Sequence, residues 1–309
     1  MQAILIVNPA ATTTSSQTQK VLASALSAQF AVEIAETQYR GHAMDLAREA
    51  AESGAEAVAV LSGDGTVNEV VNGLVGDGRS ADDAPLFIPI PGGSTNVFAR
   101  ALGLPADAMD AAAMVMESMR ARRYRRISLG RAAGRLFTFC AGLGWDAAVI
   151  RRVEEYRERG KQATPGLYFR AGLAELMPAP TRHDPEVVLE FTDGTVVSSQ
   201  GTAVIQNTAP WTYLGELPVN LNARASFNAG LDVLLVRKLG LSAAAARSAA
   251  QVLAGREAPS GKQVVSYHDL DSFRLRLSRP EAFQLDGDYL GEFDNVEFHA
   301  IPNALRVVC

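Results

Sequence analysis

An α/β domain built on a parallel sheet, followed by a β-rich and mainly antiparallel domain, is the fold that three observations predict. Short apolar runs alternate with helical periodicities through the first part of the chain, and glycine- or hydroxyl-rich breaks follow three of those runs. Beyond the basic segment Ala121 to Arg126, strand patterns joined by tight turns take over. The domains are therefore set at residues 1–122 and 123–309, with roughly the last 15 residues packing back on the first. Substrates are expected in a cleft between the two.

In the first domain, Ala3 to Val7 reads as a strand, about Gln17 to Gln29 as a helix, Val32 to Glu36 as a strand and about Met44 to Glu52 as a helix. Ala57 to Leu61 is a β-branched run whose periodicity is hidden, as in a parallel strand covered on both faces. This βα rhythm implies parallel strands with right-handed crossovers. Leu86-Phe87-Ile88 is a further strand, read as ending in Pro89 and Pro91, and a helix runs through Ala111 to Met119. In the second domain the strands are Arg126 to Gly130, Arg135 to Ala141, Glu186 to Thr192, Val196 to Val204, Leu231 to Arg237, Ser272 to Leu277, Ala282 to Leu285 and Val296 to His299. Thr192-Asp193-Gly194 is a hairpin turn, and two helices are inserted, one within Arg151 to Met177 and an Ala-rich one over Leu241 to Gly255.

Leu61 to Leu74, LSGDGTVNEVVNGL, is a strand end that breaks into turn residues and runs straight into a helix. Gly63 and Gly65 flank Asp64, so the backbone is free to take positive φ and to approach a ligand with no Cβ in the way, and Thr66 is placed to cap the helix. A second break follows Pro91, where Gly92 and Gly93 precede Ser94, Thr95 and Asn96. A third follows the first strand at Asn8-Pro9, with the hydroxyl run Thr12 to Ser16. Taken singly, each is equally well a ligand-free turn or an N-cap cluster. At the carboxyl ends of parallel strands all three lie on one sheet edge, where open α/β sheets place ligands, and free N–H groups with helix dipoles there favour a nucleotide.

NPA at Asn8, GDGTVNEVVNGL and PGGSTNVFARALGLP resemble three motifs of the diacylglycerol kinase catalytic domain, and in particular the bacterial soluble lipid kinases related to sphingosine and ceramide kinases. The resemblance extends to Thr37 in AETQYRGHAMDLA, to FQLDGDYLGE and to the closing IPNALRVV. It implies a fold like that of NAD kinase and diacylglycerol kinase, and an ATP- and Mg²⁺-dependent transfer of the γ-phosphoryl group to a lipid hydroxyl, foremost that of diacylglycerol. It also implies nucleotide contacts at Asn8, Thr37, Ser62, Gly63, Asp64, Gly65, Thr66, Val67, Asn68, Glu69, Gly93, Ser94, Thr95 and Asn96, with Glu69 orienting the loop or a metal-bound water. The Asp286-Gly287-Asp288 step resembles the family's acidic motif, making Asp286 the first candidate for the base and Asp288 the second; on its residues alone it is also an ordinary hairpin turn.

The sequence departs from the family pattern at Ser62, where a glycine is usual, at Val97, where an aspartate is usual, and at Asp288, where a glutamate is usual. Asn228 replaces an aspartate in the segment resembling the family's structural Mg²⁺ loop; lacking the charge it is a poorer ligand, so no metal residue is assigned beyond Asn228 as a weak candidate. Rival readings are a kinase for a sphingoid base, ceramide or phosphatidylinositol-type lipid, an NAD kinase-like enzyme sharing GDGT, and a silent lipid- or nucleotide-binding regulator. Gly142 to Ala147 also matches GxGxxA, the dinucleotide fingerprint.

Among 309 residues the formal net charge is −5, which argues against a nucleic-acid partner. Two cysteines make neither a disulfide framework nor a metal cluster and fit a reducing compartment, and His42, His183, His268 and His299 lack metal spacing. With no leader pattern and no membrane-length apolar run, the expectation is a cytoplasmic protein that meets its lipid peripherally at the inner membrane face. The segment Arg151 to Arg170, basic with interleaved Tyr156, Tyr168 and Phe169, is a candidate for that contact. Its Glu154, Glu155 and Glu158 equally suit a solvated helix.

Overall fold

Strand and helix alternate from the start of the chain: β1 (Gln2–Val7), α1 (Ser16–Leu26), β2 (Ala31–Glu36), α2 (His42–Glu52), β3 (Ala57–Ser62), α3 (Asp64–Val75), β4 (Leu86–Pro91), α4 (Val97–Ala101) and α5 (Ala108–Arg120). The computed structural model describes residues 2–11, 16–159, 185–237 and 264–309. The chain divides into two units, Met1–Leu129 with Pro302–Cys309, and Gly130–Ile301.

In the first unit the strands pair in parallel in the order β4-β3-β1-β2. The alternation of a pleated strand sorts its residues. Ala3, Leu5 and Val7 of β1, Ala57, Ala59 and Leu61 of β3, and Ile88 and Ile90 of β4 join one apolar cluster with Leu22 and Leu26 of α1 and with Val115 and Met119 of α5. The alternate residues Ile6, Val58 and Val60 are equally buried and point the other way, where α2 and α3 pack on the sheet. Two covered faces explain why β3 shows no hydrophobic alternation, each fully buried Val or Leu contributing about 1.5–3 kcal/mol. Gly73 lets α3 lie close on α2, since a Cβ there would stand 2.2 Å from the Met44 carbonyl oxygen.

β4 runs to Pro91 and does not stop at Ile88 as the two prolines suggest. The Leu86 N–H donates to the Glu56 oxygen and the Gly92 N–H to the Ser62 oxygen, so even-numbered amides face β3. Pro89 and Pro91 fall on the odd side, where the ladder consists of the single pair Phe87–Val307, and their missing donors cost no hydrogen bond.

The second unit is antiparallel. After β5 (Tyr124–Ala132), whose range straddles the division, come β6 (Arg135–Phe137), β7 (Cys140–Leu143), α6 (Trp145–Glu158), β8 (Glu186–Phe191), β9 (Val196–Gln206), β10 (Thr212–Leu214), β11 (Leu217–Val219), β12 (Leu231–Arg237), β13 (Val264–Leu270), β14 (Ser272–Leu285) and β15 (Asp288–Val308), the last of which belongs to the first unit from Pro302 onward. Their order is β13-β12-β9-β7-β14-β15, with β8 joining β9 to β14, while β10 and β11 form a separate hairpin. Phe273 and Phe298 stack with centroids 5.0 Å apart in the core, and Phe283 meets Phe298 edge-on. The turn at Asp193-Gly194 joins β8 to β9 as expected, with Gly194 at φ 85. The segment read as one strand over Arg135 to Ala141 is two, β6 and β7, and the strands read at Ser272 and Ala282 are one, β14. Residues 160–170 of the basic segment, the rest of its expected helix to Met177, the Ala-rich helix, His183 and Thr12 to Ser15 lie outside the described residues.

Candidate active site

Parallel register brings three strand ends of the first unit to one edge: Val7 lies beside Leu61, Leu61 beside Ile90, and Ser62 beside Pro91. Just beyond them Asn8, Ser62 and Thr66 meet. The Thr66 Oγ1 accepts from the Ser62 hydroxyl at 2.8 Å and from the Asn8 side-chain amide at 3.2 Å, while the Asn8 Oδ1 accepts from the Ala10 N–H at 2.9 Å. Thr37 joins the same edge through its N–H, which donates to the Val7 oxygen at 2.9 Å. The loop after Thr37 is pinned by Glu69, whose Oε1 accepts from the Gly41 N–H at 2.9 Å.

The glycines act differently from the sequence expectation. Neither Gly63 nor Gly65 has positive φ: Gly63 is extended at φ −87° and ψ 178°, and Gly65 belongs to α3. Contact between loops is what requires glycine. A Cβ on Gly93 would lie 2.5 Å from the Gly63 Cα, and one on Gly63 would lie 3.2 Å from the Gly93 Cα. The residue in the left-handed region is Asn96, at φ 52, whose side chain closes its own turn by accepting from the Gly93 N–H and donating to the Gly93 oxygen. Thr66 does not cap α3 either, since Gly63 holds the N-cap position without a side-chain bond. Asp64, the first residue of α3, instead accepts from the Val97 and Phe98 N–H groups at 2.9 and 3.0 Å, capping α4 from another segment. Val97, where the family pattern has an aspartate, serves here through its backbone.

This edge presents the opening turn of the 12-residue helix α3, two glycines without side-chain cover and a hydroxyl cluster. Ser94 is exposed and Thr95 half-buried on the second loop. Val67 and Asn68 face inward, at 4% and 1% exposure, with Asn68 accepting from the Asn72 amide. These two support the loop from behind.

In the second unit Asp286 and Gly287 are the two central residues of the β14–β15 turn, at φ 49 and 84, between the paired Leu285 and Asp288. Positive φ at both positions is the signature of a type I′ hairpin turn. The Asp286 carboxylate is buried and filled with donors: the Thr138 N–H at 2.6 Å, the Thr138 hydroxyl at 2.8 Å, the Phe139 N–H at 2.9 Å and the Cys140 N–H at 3.1 Å. A carboxylate offers about four lone-pair directions, so these contacts use its accepting capacity. Asp288 stands half-exposed at the start of β15.

Sequence reading missed Asp146. It lies in the first turn of α6, buried, and accepts from the Gln284 side-chain amide at 2.8 Å; Gln284 in turn accepts from the Gly287 N–H. Burial pushes its carboxyl up to about 6, against the lowering effect of the Gln284 bond. Gly142 makes room for it, as a Cβ there would come to 1.9 Å from the Asp146 Oδ2. The signal was in GLGWDAA, where the glycines looked like a dinucleotide fingerprint. Strand β7, which carries Gly142, is antiparallel to both neighbours, so no parallel βαβ unit exists there and the fingerprint reading falls.

The weak metal candidate Asn228 is exposed on the loop before β12, and its N–H donates to the Ser226 hydroxyl. Nearby Asp232 is committed to His268 Nδ1 at 2.6 Å and to the Asp269 N–H. Among the described residues no group of three or more His, Cys, Asp or Glu side chains is placed to hold a metal ion. Arg151 of the basic segment pairs with Glu292 at 3.2 Å.

Residues 2–132 match the family model for the diacylglycerol kinase catalytic domain. Over 270 residues the chain is 30% identical to the diacylglycerol kinase of Bacillus subtilis, covering 85% of this chain and 82% of that protein. A crystal structure of a diacylglycerol kinase from Bacillus anthracis superposes with a TM-score of 0.71 at 20% identity, covering 99% of this chain and 96% of the other. An NAD kinase from Archaeoglobus fulgidus, solved in complex with ATP, shares the fold more distantly, with a TM-score of 0.53 at 11% identity over 100% of this chain and 94% of the other. The glycine loops, the strand order and these likenesses agree: the chain belongs to the diacylglycerol kinase family and is a lipid kinase.

Proposed function

We propose that the chain moves the γ-phosphoryl group of ATP to the hydroxyl of diacylglycerol, giving ADP and phosphatidic acid. The observation that carries the donor side is the backbone contact between Gly63 and Gly93, which leaves two loops and the start of α3 open to phosphate oxygens. Two glycine backbones packed against each other place no Cβ at this point of either loop, which suits the close approach of a triphosphate to their N–H groups. The hydroxyl cluster of Ser62 and Thr66, with Asn8, orients the phosphates, and Glu69 fixes the loop carrying Thr37 and Gly41. The chain has no GxxxxGK[ST] run and hence no P-loop lysine. Mg²⁺ on the nucleotide would supply charge neutralisation on the transferred group, and Asp64, whose oxygens also accept from the Val97 and Phe98 N–H groups, would help hold it.

On the acceptor side we assign Asp288, in place of Asp286, to receive the hydroxyl proton as the oxygen attacks phosphorus. Asp286 would have to surrender one of four hydrogen bonds to take a proton, and its role is to fix residues 138–140 against the turn. Turnover of labelled ATP with diacylglycerol, sphingosine, ceramide, phosphatidylinositol and NAD as separate acceptors tests the whole reading. Label is expected in phosphatidic acid; label in another lipid changes the acceptor, and label in NADP alone overturns the proposal. Asp288→Asn is expected to lower kcat at least 100-fold with ATP affinity unchanged.

A further inference from the structure

A lipid kinase must reach an acceptor that lives in a bilayer, and no helix among the described residues is long and apolar enough to cross one. Among the described residues of the second unit, the large apolar side chains left exposed are Val196, Leu214 and Leu217. Two of these three are partners. Leu214 and Leu217 lie opposite each other across the β10–β11 hairpin, 45% and 42% exposed, with only Gly215 and Glu216 between them. From this, and resting on the lipid-kinase reading, we infer that the tip of the β10–β11 hairpin is a membrane-docking element that inserts Leu214 and Leu217 into an uncharged, diacylglycerol-containing patch of bilayer.

The hairpin is built for this. Its turn is a two-residue one with Gly215 at φ 61, which holds the two leucines side by side. Its base is fixed: Trp211 N–H donates to the Val219 oxygen at 3.0 Å, Val219 is buried, and the Asn222 N–H donates to the buried Gln206 side chain at 2.9 Å. A rigid stem removes much of the ordering cost that a flexible loop would bear on docking. Trp211 and Tyr213 are half-buried behind the tip. At about 3.3 Å per strand residue, Trp211 sits roughly 10 Å back from Leu214, about the depth to which amphipathic elements enter the headgroup boundary. Aromatic rings with one polar atom favour that level. Glu216 at the turn sets the kind of surface, because its carboxylate is repelled by anionic headgroups and tolerated by zwitterionic ones with neutral diacylglycerol between them.

The test uses the full chain with phosphatidylcholine vesicles containing diacylglycerol. Leu214→Glu/Leu217→Glu is expected to cut vesicle flotation at least tenfold and to raise KM for vesicle diacylglycerol with kcat unchanged. Turnover of a dispersed short-chain diacylglycerol should be unaffected, which also certifies folding. Leu217→Ala, milder should the double variant misfold, is expected to lower flotation several-fold. Replacing half of the phosphatidylcholine by phosphatidylglycerol should weaken binding, and Glu216→Gln should restore it. Unchanged flotation of the double variant overturns the inference, as does a change from dimer to monomer on sedimentation, which would make the tip a contact between copies. Flotation needs no turnover, so a wild-type chain that binds vesicles but phosphorylates no lipid would sink the proposed reaction and leave the docking result standing.

Discussion

The dipeptide Asp-Gly occurs at the two most informative points of the molecule and does opposite things there. Asp64-Gly65 starts a helix, with neither glycine beside Asp64 at positive φ, whereas Asp286-Gly287 turns the chain back on itself with both residues in the left-handed region. The downstream residues decide between the two: TVNEVVNGL continues as a helix, and DYLGEF as a strand. Yet both carboxylates finish in the same trade, accepting N–H groups from a distant segment, Asp64 from residues 97 and 98 and Asp286 from residues 138 to 140. The parallel and antiparallel units thus share one stapling device, differing in how many donors it satisfies.

That difference orders the expected effects. Asp286→Ala strands three backbone N–H groups in a buried place and leaves alanine at φ 49, and should lower unfolding free energy by roughly 4 kcal/mol or more in urea titrations. Asp64→Ala removes a helix cap with two donors and should cost about 2 kcal/mol. Equal losses for the two would break the comparison.

Asp146 sharpens it, being a buried carboxyl for which the contact found is one amide and no backbone N–H. Its value in the folded chain, about 6, exceeds the ordinary value near 4, so the folded state holds the proton more tightly than the unfolded one. The stabilisation is complete below pH of about 4 and is lost as pH rises through about 6, by an amount on the order of 3 kcal/mol. Asp146→Asn keeps an oxygen for Gln284 and should flatten the stability profile over that window, which thermal unfolding at a series of pH values would show.

The remaining expected effect concerns the loops themselves. Gly93→Ala places a methyl 2.5 Å from the Gly63 Cα and should cost about 1–3 kcal/mol while weakening ATP binding at least tenfold. Gly63→Ala, with 3.2 Å available, should do less on both counts. Calorimetric titration of ATP into the two variants would separate them.

The parallel sheet and its glycine loops were legible because β1, β3 and β4 of the first unit are apolar runs that break at a turn residue. Local signals misled where the partner was remote. Thr66 looks like a cap until Ser62 and Asn8 claim its hydroxyl, and Gly63 looks like a left-handed turn until Gly93 is seen against it. Asp286 looked available because nothing near it in sequence announces Thr138, some 148 residues away. Asp146 was hidden for a related reason: its meaning depends on Gln284, and its glycines imitate another motif. The hairpin β10–β11 escaped because Thr212–Leu214 and Leu217–Val219 are too short to show alternation.

The prolines of β4 give this strand a single working side. Pairing with β3 runs its full length, while toward Val307 the zip is stopped after its first tooth, because Pro89 and Pro91 offer nothing to grip. Replacing either proline would supply an amide to the flank that faces away from β3, next to the edge that bears Gly92 and Gly93. The two rings keep that flank without donors, so β4 holds the sheet through β3 along its length and through Phe87 alone on the other side.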